Sequence, residues 1–475
     1  MPVRKASLYK KSQCIILQAN GVPPYDCFFG VPRCDRRLRI KFAMTEELNR
    51  RKTHSIKSQI KKEEKMKKLI KPEVLSPAGD MERLKAAVQY GADAVYLAGK
   101  QFGMRAAPMN FDKDEMKEAI AYCHENGVRV YVTCNTLPRN EELAPLPQYL
   151  VDCAESGADA FIISDVGVLM MAKKYAPQVE IHISTQAGVV NYGAAQAFYD
   201  MGAKRVVTAR EMSLAEIRGM REQIPADMDI EIFIHGAMCM SFSGRCLLSN
   251  YMTGRDANRG DCAQPCRWEY EVIEKKRLDM PFPIQQEKEG TYIFNARDLC
   301  MISHIPEMLK AGVTSLKIEG RAKSAYYVAS ATSAYRRAVD FYMENPNAGL
   351  PKEILEETEK ISHREYSTGF YFGKEPGQTT ENGGYIRNYE VIAVSMGEEN
   401  GMLKLKQRNR FFKDEIADVL HPNALQTTFP LTEIYNEYMQ PIEVAPHAEM
   451  TVYVKTDVKV PKGAYLRVKR EGRKT

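Results

Sequence analysis

The sequence contains no apolar run that approaches the ~20 residues a helix needs to cross a bilayer. Its start, MPVRKASLYKKSQCIILQAN, is basic but has neither the long apolar segment nor the small-residue cleavage site of a secretory signal. These absences predict a cytoplasmic protein with no membrane partner. Disulfide bonds are not expected either, because thiols in that compartment stay reduced, so a cluster among the 11 cysteines indicates a metal site.

Positive charge is scarce outside the first segment of the chain. Residues 1–71 carry a net charge of +13, whereas the remaining residues carry −7. A basic arm is a common nucleic-acid-binding feature. Residues 1–65, however, show no strong hydrophobic period, and Met66 opens a stretch typical of a natural N-terminus. We therefore interpret residues 1–65 as a disordered extension or as upstream sequence translated from a wrong start.

Eight short apolar stretches recur from residue 74, each followed by amphipathic helical sequence. Near-continuous hydrophobic runs are typical of strands buried on both faces, and eight β-α repeats favour closure into a barrel. No GxGxxG follows the first strand, which disfavours an open doubly wound sheet. The predicted strands are 74–80, 93–99, 128–136, 159–165, 180–186, 205–211, 229–236 and 315–321. We predict an α/β fold, a (β/α)8 TIM-like barrel over residues 72–345.

Three further segments complete the predicted organisation. A long Cys-rich insertion, residues 237–314, follows the seventh strand and includes one more strand-like piece, 292–297. A helical linker spans residues 346–383. Short alternating strands with turn signals then predict a small antiparallel β-barrel over residues 384–470.

Polar residues collect at the C-terminal ends of the predicted strands, where barrel enzymes place their active sites. They are Ser76, Asn135, Thr136, Ser184, Gln186, Arg210, Glu211, His235, Glu319 and Arg321. Among them, we take His235, Glu319 and Glu211 as candidate catalytic residues.

The insertion carries the pattern C-x6-C-x15-C-x3-C. Its members are Cys239, Cys246, Cys262 and Cys266, with Cys300 further along. Four thiolates can bind zinc or an iron–sulfur cluster. Structural zinc usually uses C-x2–4-C pairs, and only Cys262 and Cys266 have that spacing. The wider spacing of the others fits a cubane cluster held by a long loop, but spacing by itself does not decide between the two. Local spacing prefers Cys266 as the fourth ligand.

The stretch EIFIHGAMCMSFSGRCLLS, residues 231–249, resembles the signature of the peptidase U32 family, the collagenase-like proteases. The opening VLSPAGDMERLKAAVQYGADAVYLAG and the strand SLKIEGR are also similar to that family. The resemblance covers residues 72–470 and leaves out residues 1–65. It implies a barrel followed by a small β-barrel.

Branches of this family are oxygen-independent hydroxylases that carry a 4Fe-4S cluster and take their hydroxyl group from prephenate. They act on tRNA, ribosomal RNA or quinone precursors. This sequence is most similar to the tRNA branch, which makes 5-hydroxyuridine at the wobble position, so the resemblance implies the tRNA anticodon loop as partner. One ligand pattern of the family corresponds to Cys239, Cys246, Cys262 and Cys300. The resemblance therefore favours Cys300 as the fourth ligand, and Cys266 stays as the alternative.

Prephenate has two carboxylates, and arginine binds carboxylates through a two-pronged hydrogen-bonding fork. Arg210 and Arg321 at strand ends are the first candidates, and Arg245 and Arg297 near the cysteines are the second. Asn135 and Gln186 are further substrate-binding candidates. An RNA base taken out of its stack needs aromatic partners. The candidates for that role are Tyr251, Trp268, Tyr270, Tyr371 and Phe372.

Two other functions compete with the hydroxylase. A peptidase needs a catalytic metal or an activated nucleophile, and the sequence has neither HExxH nor GxSxG. A Cys239–His235 pair could serve as nucleophile and base, although four neighbouring cysteines are more typical of a cluster. A non-catalytic RNA-binding protein or scaffold with structural zinc is the third reading.

Overall fold

A computed structural model describes residues 70–103, 110–268, 296–373, 385–422 and 427–470, which belong to one unit of the chain. The predicted extension 1–65, Tyr270 and most of the strand-like piece 292–297 lie outside these ranges. No helix among the described residues is long and apolar enough to cross a membrane.

Eight parallel strands close into a barrel, which confirms the predicted fold class. Neighbours pair in chain order from β1 to β7, and β9 pairs with both β1 and β7 to complete the ring. Most residues of these strands are buried on both faces, which explains their near-continuous apolar sequence. The strands are β1 Glu73–Pro77, β2 Ala94–Leu97, β3 Arg129–Cys134, β4 Ala160–Ile163, β5 Glu180–Ile183, β6 Arg205–Val207, β7 Asp229–Gly236 and β9 Ser315–Ile318.

Side-chain caps fix the start of several surrounding helices. Asp112 and Glu115 form a capping box at α2, and Ser213 and Glu216 form another at α6. The helices are α1 Met81–Gln89, α2 Lys113–Glu125, α3 Leu146–Glu155, α4 Val166–Tyr175, α5 Tyr192–Asp200, α6 Leu214–Gln223, α7 Leu248–Thr253, α8 Ile305–Lys310, α9 Ala325–Glu344 and α10 Lys352–Glu357. Within the predicted linker 346–383, the helix Lys352–Glu357 is followed by a 3-10 turn at Thr358–Lys360.

Two short strands extend the barrel sheet and were not predicted. β8, Asp298–Cys300, pairs antiparallel with the end of β7, and β10, Tyr366–Ser367, pairs with β8. Their brevity leaves no periodic signal in the sequence. They bring the end of the insertion back against the barrel rim.

The C-terminal residues form an antiparallel sheet-rich domain, as predicted. Seven strands pair in the order β15-β14-β19-β11-β12-β18-β16, and β13 pairs with β17. The strands are β11 Tyr389–Glu399, β12 Met402–Gln407, β13 Phe411–Phe412, β14 Ile416–Leu420, β15 Thr427–Pro430, β16 Ile434–Tyr435, β17 Val444–Ala445, β18 Thr451–Val454 and β19 Tyr465–Lys469. Tyr90 of α1 donates a hydrogen bond to the Leu420 carbonyl (2.9 Å), joining barrel and C-terminal domain.

A layer of buried charges lies inside the barrel. Glu231 on β7 accepts from Lys317 Nζ (2.7 Å) and Arg205 Nη1 (3.0 Å), and Arg205 also pairs with Glu73 (2.6 Å). Burial alone would raise the pKa of Glu231, but Lys317 and Arg205 outweigh that effect and lower it to about 2. The carboxylate therefore stays ionised in the core.

Replacing Glu231 with glutamine should destabilise the protein by about 3–5 kcal/mol at pH 7, because Lys317 and Arg205 lose a buried counter-charge. A carboxyl group with a lowered folded pKa stabilises the fold above its unfolded pKa of about 4.3 and loses this contribution as pH falls toward 2. The difference in free energy of unfolding between wild type and Glu231→Gln should hold down to about pH 5 and shrink below it. Urea unfolding over a pH series measures this difference, and a constant gap would contradict the prediction.

Candidate functional site

A polar pocket opens at the C-terminal mouth of the barrel. It is lined by Tyr96, Thr133, Asn135, Ile162, Ser184, Thr185, Gln186, Arg210, Phe233, Lys317, Glu319 and Arg321. Six of the ten rim residues singled out from sequence are in this set, so strand-end position was a useful signal. The pocket contains three cationic side chains and one carboxylate.

The two arginines predicted to bind carboxylates are held differently. Arg321 is buried and donates to Thr133 Oγ1 (3.0 Å). Arg210 donates to the Ala237 carbonyl (2.9 Å), and its guanidinium carbon lies 4.0 Å from the centre of the Phe233 ring. Both line the pocket, and fixed cations of this kind suit an anionic ligand.

The cysteine loop, residues 237–268, is fastened onto this rim. The Glu211 carboxylate accepts from the backbone N–H and the hydroxyl of Ser243, both at 2.9 Å. Gly244 has φ +72°, and a Cβ at this position would overlap the carbonyl oxygen of Gln186. Glycine therefore permits both the left-handed turn and the close approach. Glu211 anchors the loop from outside the pocket lining.

Four of the five candidate ligands are neighbours on this loop. The Cys239 residue is exposed overall, but desolvation of its thiol raises the pKa, Arg210 lowers it, and the Cys246 and Cys262 thiols raise it further. Burial also raises the pKa of Cys266, which interacts electrostatically with the same three thiols. The charge of Arg210 thus reaches both the thiol group and the pocket.

The four thiols of this loop are a donor set that zinc or an iron–sulfur cluster can use. A lone zinc requires sulfurs about 2.3 Å from one centre. Among the described residues, no three His, Cys, Asp or Glu side chains converge closely enough to hold one metal ion. A 4Fe-4S cluster instead takes one thiolate on each of four separate irons.

Cys300 lies in a different environment. It ends β8, where Tyr335 donates to its sulfur (3.9 Å) and its thiol donates to Thr358 Oγ1 (4.0 Å). Burial raises its pKa. The structure therefore groups Cys266 with Cys239, Cys246 and Cys262, and it places Cys300 on β8, which pairs with the end of β7 that leads into the same loop.

His235 is packed beneath the rim rather than in the pocket. It is 1% exposed, and the rings of Tyr327, Tyr335 and Tyr366 lie with their centres within 5.9 Å of its own. Burial, with nearby positive charge, lowers its pKa to about 3, so it is neutral at pH 7. Its partner in a thiol-protease dyad would be Cys239, but His235 contacts these tyrosines instead.

The remaining arginine and aromatic candidates lie outside the pocket lining. Arg245 is exposed on the cysteine loop, and Arg297 forms a solvent-exposed ion pair with Glu365 (3.0 Å). Of the aromatic candidates, Tyr251, Trp268 and Phe372 are exposed. Tyr371 is buried and donates to the Phe233 carbonyl (2.6 Å), which makes it a packing residue.

Sequence reasoning missed Lys317 and Tyr96 in the pocket. Lys317 Nζ lies 4.5 Å from the Tyr96 ring centre and binds Glu231 below it. Both residues lie within apolar strands, and their inward direction depends on barrel closure. The one available signal was a lysine inside the otherwise apolar strand SLKI.

Comparisons with known proteins agree with this architecture. The model of peptidase family U32 matches residues 79–381, and the model of that family's C-terminal domain matches residues 387–467. "tRNA hydroxylation protein P1" of Bacillus subtilis (strain 168) is 38% identical over 402 residues, covering 82% of this chain and 93% of the relative. "tRNA hydroxylation protein P" of Escherichia coli (strain K12) is 35% identical over 431 residues, covering 81% and 94%.

A third relative is named for a different RNA. The "23S rRNA 5-hydroxycytidine C2501 synthase" of Escherichia coli (strain K12) is 35% identical over 333 residues, covering 69% of this chain and 48% of the relative. The matched ranges contain seven of the eight barrel strands, the loop carrying the four thiols and nearly all of the C-terminal domain. With both family models matched and relatives at this identity, the chain belongs to peptidase family U32.

Proposed function

We propose that this chain hydroxylates tRNA, forming 5-hydroxyuridine at the wobble position with a 4Fe-4S cluster and prephenate as hydroxyl source. The observation that carries the proposal is the group of four thiols on a loop fastened beside an arginine-lined pocket. The relatives named for tRNA hydroxylation support the reaction class. The relative named for ribosomal RNA makes that RNA the second candidate substrate.

The chemistry of the proposed reaction calls for a redox group. An alcohol oxygen is at the oxidation level of water, so replacing a C–H bond of uracil with C–OH releases two electrons and two protons, and the reaction also needs a two-electron acceptor. Bound at Cys239, Cys246, Cys262 and Cys266, a 4Fe-4S cluster would supply one-electron transfer or a Lewis-acidic iron. In the pocket, Arg210 and Arg321 would bind the prephenate carboxylates, and Asn135 and Gln186 would orient its hydroxyl.

The peptidase alternative has less support from the described residues. A thiol nucleophile needs a base within hydrogen-bond reach. His235 lies among tyrosine rings, and burial lowers its pKa. The four grouped thiols have a use in a cluster and none in a thiol protease.

Deletion of the gene followed by mass spectrometry of tRNA nucleosides tests the proposed function. We expect 5-hydroxyuridine to disappear from bulk tRNA and to return when the intact gene is restored. Unchanged tRNA together with the loss of a hydroxylated nucleoside from ribosomal RNA would favour the second substrate. Unchanged nucleosides in both RNAs would contradict RNA hydroxylation.

Replacing Arg321 with lysine should raise the KM for prephenate by about 10- to 100-fold, because a charged hydrogen bond is worth about 1.5–3 kcal/mol and lysine lacks the planar fork. Steady-state kinetics with tRNA held at saturation measure the change. Arg297→Lys, in an exposed ion pair, is the matched control and should leave KM within about twofold. Equal effects of the two variants would remove Arg321 from the prephenate site.

A further inference from the structure

A second cavity, of about 560 Å³, lies between the barrel rim and the C-terminal domain. Its size falls within the range of about 300–1,000 Å³ found for ligand pockets. One wall comes from residues 323–327, which follow β9, and the other from residues 385–391, 408–409 and Tyr465. We call this cavity the interdomain cleft.

Two cations of the interdomain cleft have no carboxylate partner among the described residues. Lys323 Nζ lies 4.7 Å from the Tyr385 ring centre and 5.3 Å from that of Tyr327. Arg387 is exposed and donates to Ser362 Oγ (3.3 Å). Both cations are therefore available to an anion that enters the cleft.

The other charged groups of the interdomain cleft neutralise one another. Arg83 pairs with Asp80. Arg408 binds Glu82 (3.0 Å) and Glu449 (2.5 Å). Arg470 Nε forms an ion pair with the Glu390 carboxylate (2.9 Å). The carboxylates that line the cleft are thus already paired.

Tyr385 gives a further sign of positive potential in the interdomain cleft. Arg364 Nη2 lies 3.2 Å and Arg267 Nη1 3.5 Å from its hydroxyl. Burial would raise the pKa of this phenol, but the nearby charges of Lys323, Arg364 and Arg267 outweigh burial and lower it. A site that favours the phenolate form favours other anions as well.

The interdomain cleft adjoins the candidate active site along the chain. Lys323 comes two residues after Arg321, which lines the barrel pocket. Arg267, which reaches the Tyr385 hydroxyl, directly follows Cys266. A polymer held in the cleft could therefore extend toward the pocket.

We propose that the interdomain cleft binds a nucleotide of the RNA substrate that neighbours the modified one. Its phosphate would pair with Lys323 and Arg387, and its base would lie against the partly buried rings of Tyr385 and Tyr389. Lysine and arginine supply phosphate contacts, and bases of single-stranded RNA stack on aromatic rings. An acidic peptide would pair with the two cations but would not stack on the tyrosine rings. The proposal rests on the proposed function, because it assumes an RNA substrate.

Charge reversal in the intact, anaerobically purified protein tests the phosphate contacts. We expect Lys323→Glu and Arg387→Glu each to weaken binding of unmodified tRNA at least tenfold and to reduce the slope of log K against log salt by about 0.7. Lys174→Glu is the matched control. This exposed lysine lies at the C-terminal end of α4, on the face of the barrel where the strands begin, opposite the rim. The affinity of Lys174→Glu for unmodified tRNA should stay within twofold of wild type.

Substitution of the ring tests the stacking contact separately. Tyr389→Leu should weaken tRNA binding about tenfold with an unchanged salt slope, whereas Tyr389→Phe should bind as wild type does. Thermal melting and iron content of every variant check that the fold and the cysteine loop are intact.

Three results would overturn the interdomain-cleft proposal. Wild-type affinity and slope in Lys323→Glu and Arg387→Glu would remove the cleft from RNA binding and leave the proposed function standing. An equal loss in Lys174→Glu would assign the effect to overall charge. A wild-type protein that modifies no RNA and binds no tRNA would remove the proposed function, and this site with it.

Discussion

Replacing Cys266 with alanine should abolish the visible absorbance of the anaerobically purified protein near 400 nm and cut its bound iron at least tenfold. Cys266 interacts electrostatically with Cys239, Cys246 and Cys262 on the loop beside the pocket, so its loss leaves a 4Fe-4S cluster one thiolate short. Hydroxylation of tRNA should fall in parallel with the iron.

The matched control for that experiment is Cys300→Ala. This thiol contacts Tyr335 and Thr358 at the end of β8. We expect its iron content and spectrum to match wild type, with a small loss of thermal stability from the buried cavity. The opposite pattern, with iron lost in Cys300→Ala and kept in Cys266→Ala, would return the fourth ligand to Cys300. Iron retained in both variants would remove these two residues from the site.

Replacing Glu357 with alanine should lower the free energy of unfolding by about 3–5 kcal/mol, which is a large share of a typical domain's stability. Glu357 binds Arg467 of β19 through both carboxylate oxygens, at 2.6 and 2.7 Å. Arg467 is fully buried and also contacts Asp418 (3.3 Å), which binds Lys360 (2.7 Å). Removing Glu357 leaves a buried guanidinium without its main counter-charge at the contact between barrel linker and C-terminal domain.

Denaturant unfolding measures this loss. Glu433→Ala is the control, because Glu433 forms a solvent-exposed pair with Lys455 (3.3 Å) and should cost less than about 1 kcal/mol. If Glu357→Ala and Glu433→Ala unfold at the same denaturant concentration, the buried pair contributes no more than a surface one. We expect Glu357→Ala also to weaken tRNA binding, since the interdomain cleft lies along the same contact.

Local signals were enough for the barrel and for the position of its pocket. Alternating buried strands and capped helices leave periodic patterns along the chain, and parallel strands place all their C-terminal ends on one rim. Arg210, Arg321, Asn135, Gln186 and Glu319 were therefore predicted from position alone, and all line the pocket. The strands β8 and β10 escaped prediction, since two or three residues cannot show a period.

The sequence by itself determined the order of strands, the cysteine spacing and the charge of the rim, because each is a property of neighbouring residues. Spacing along the chain preferred Cys266 and the family resemblance preferred Cys300. Only the tertiary structure showed that Cys266 lies among the other three loop thiols and that Cys300 contacts Tyr335 at the end of β8. The tertiary structure also showed that Glu211 binds the cysteine loop, that His235 is buried among tyrosines, and that a cleft lies between the barrel rim and the C-terminal domain. These outcomes depend on contacts between residues far apart in sequence, which spacing along the chain does not encode.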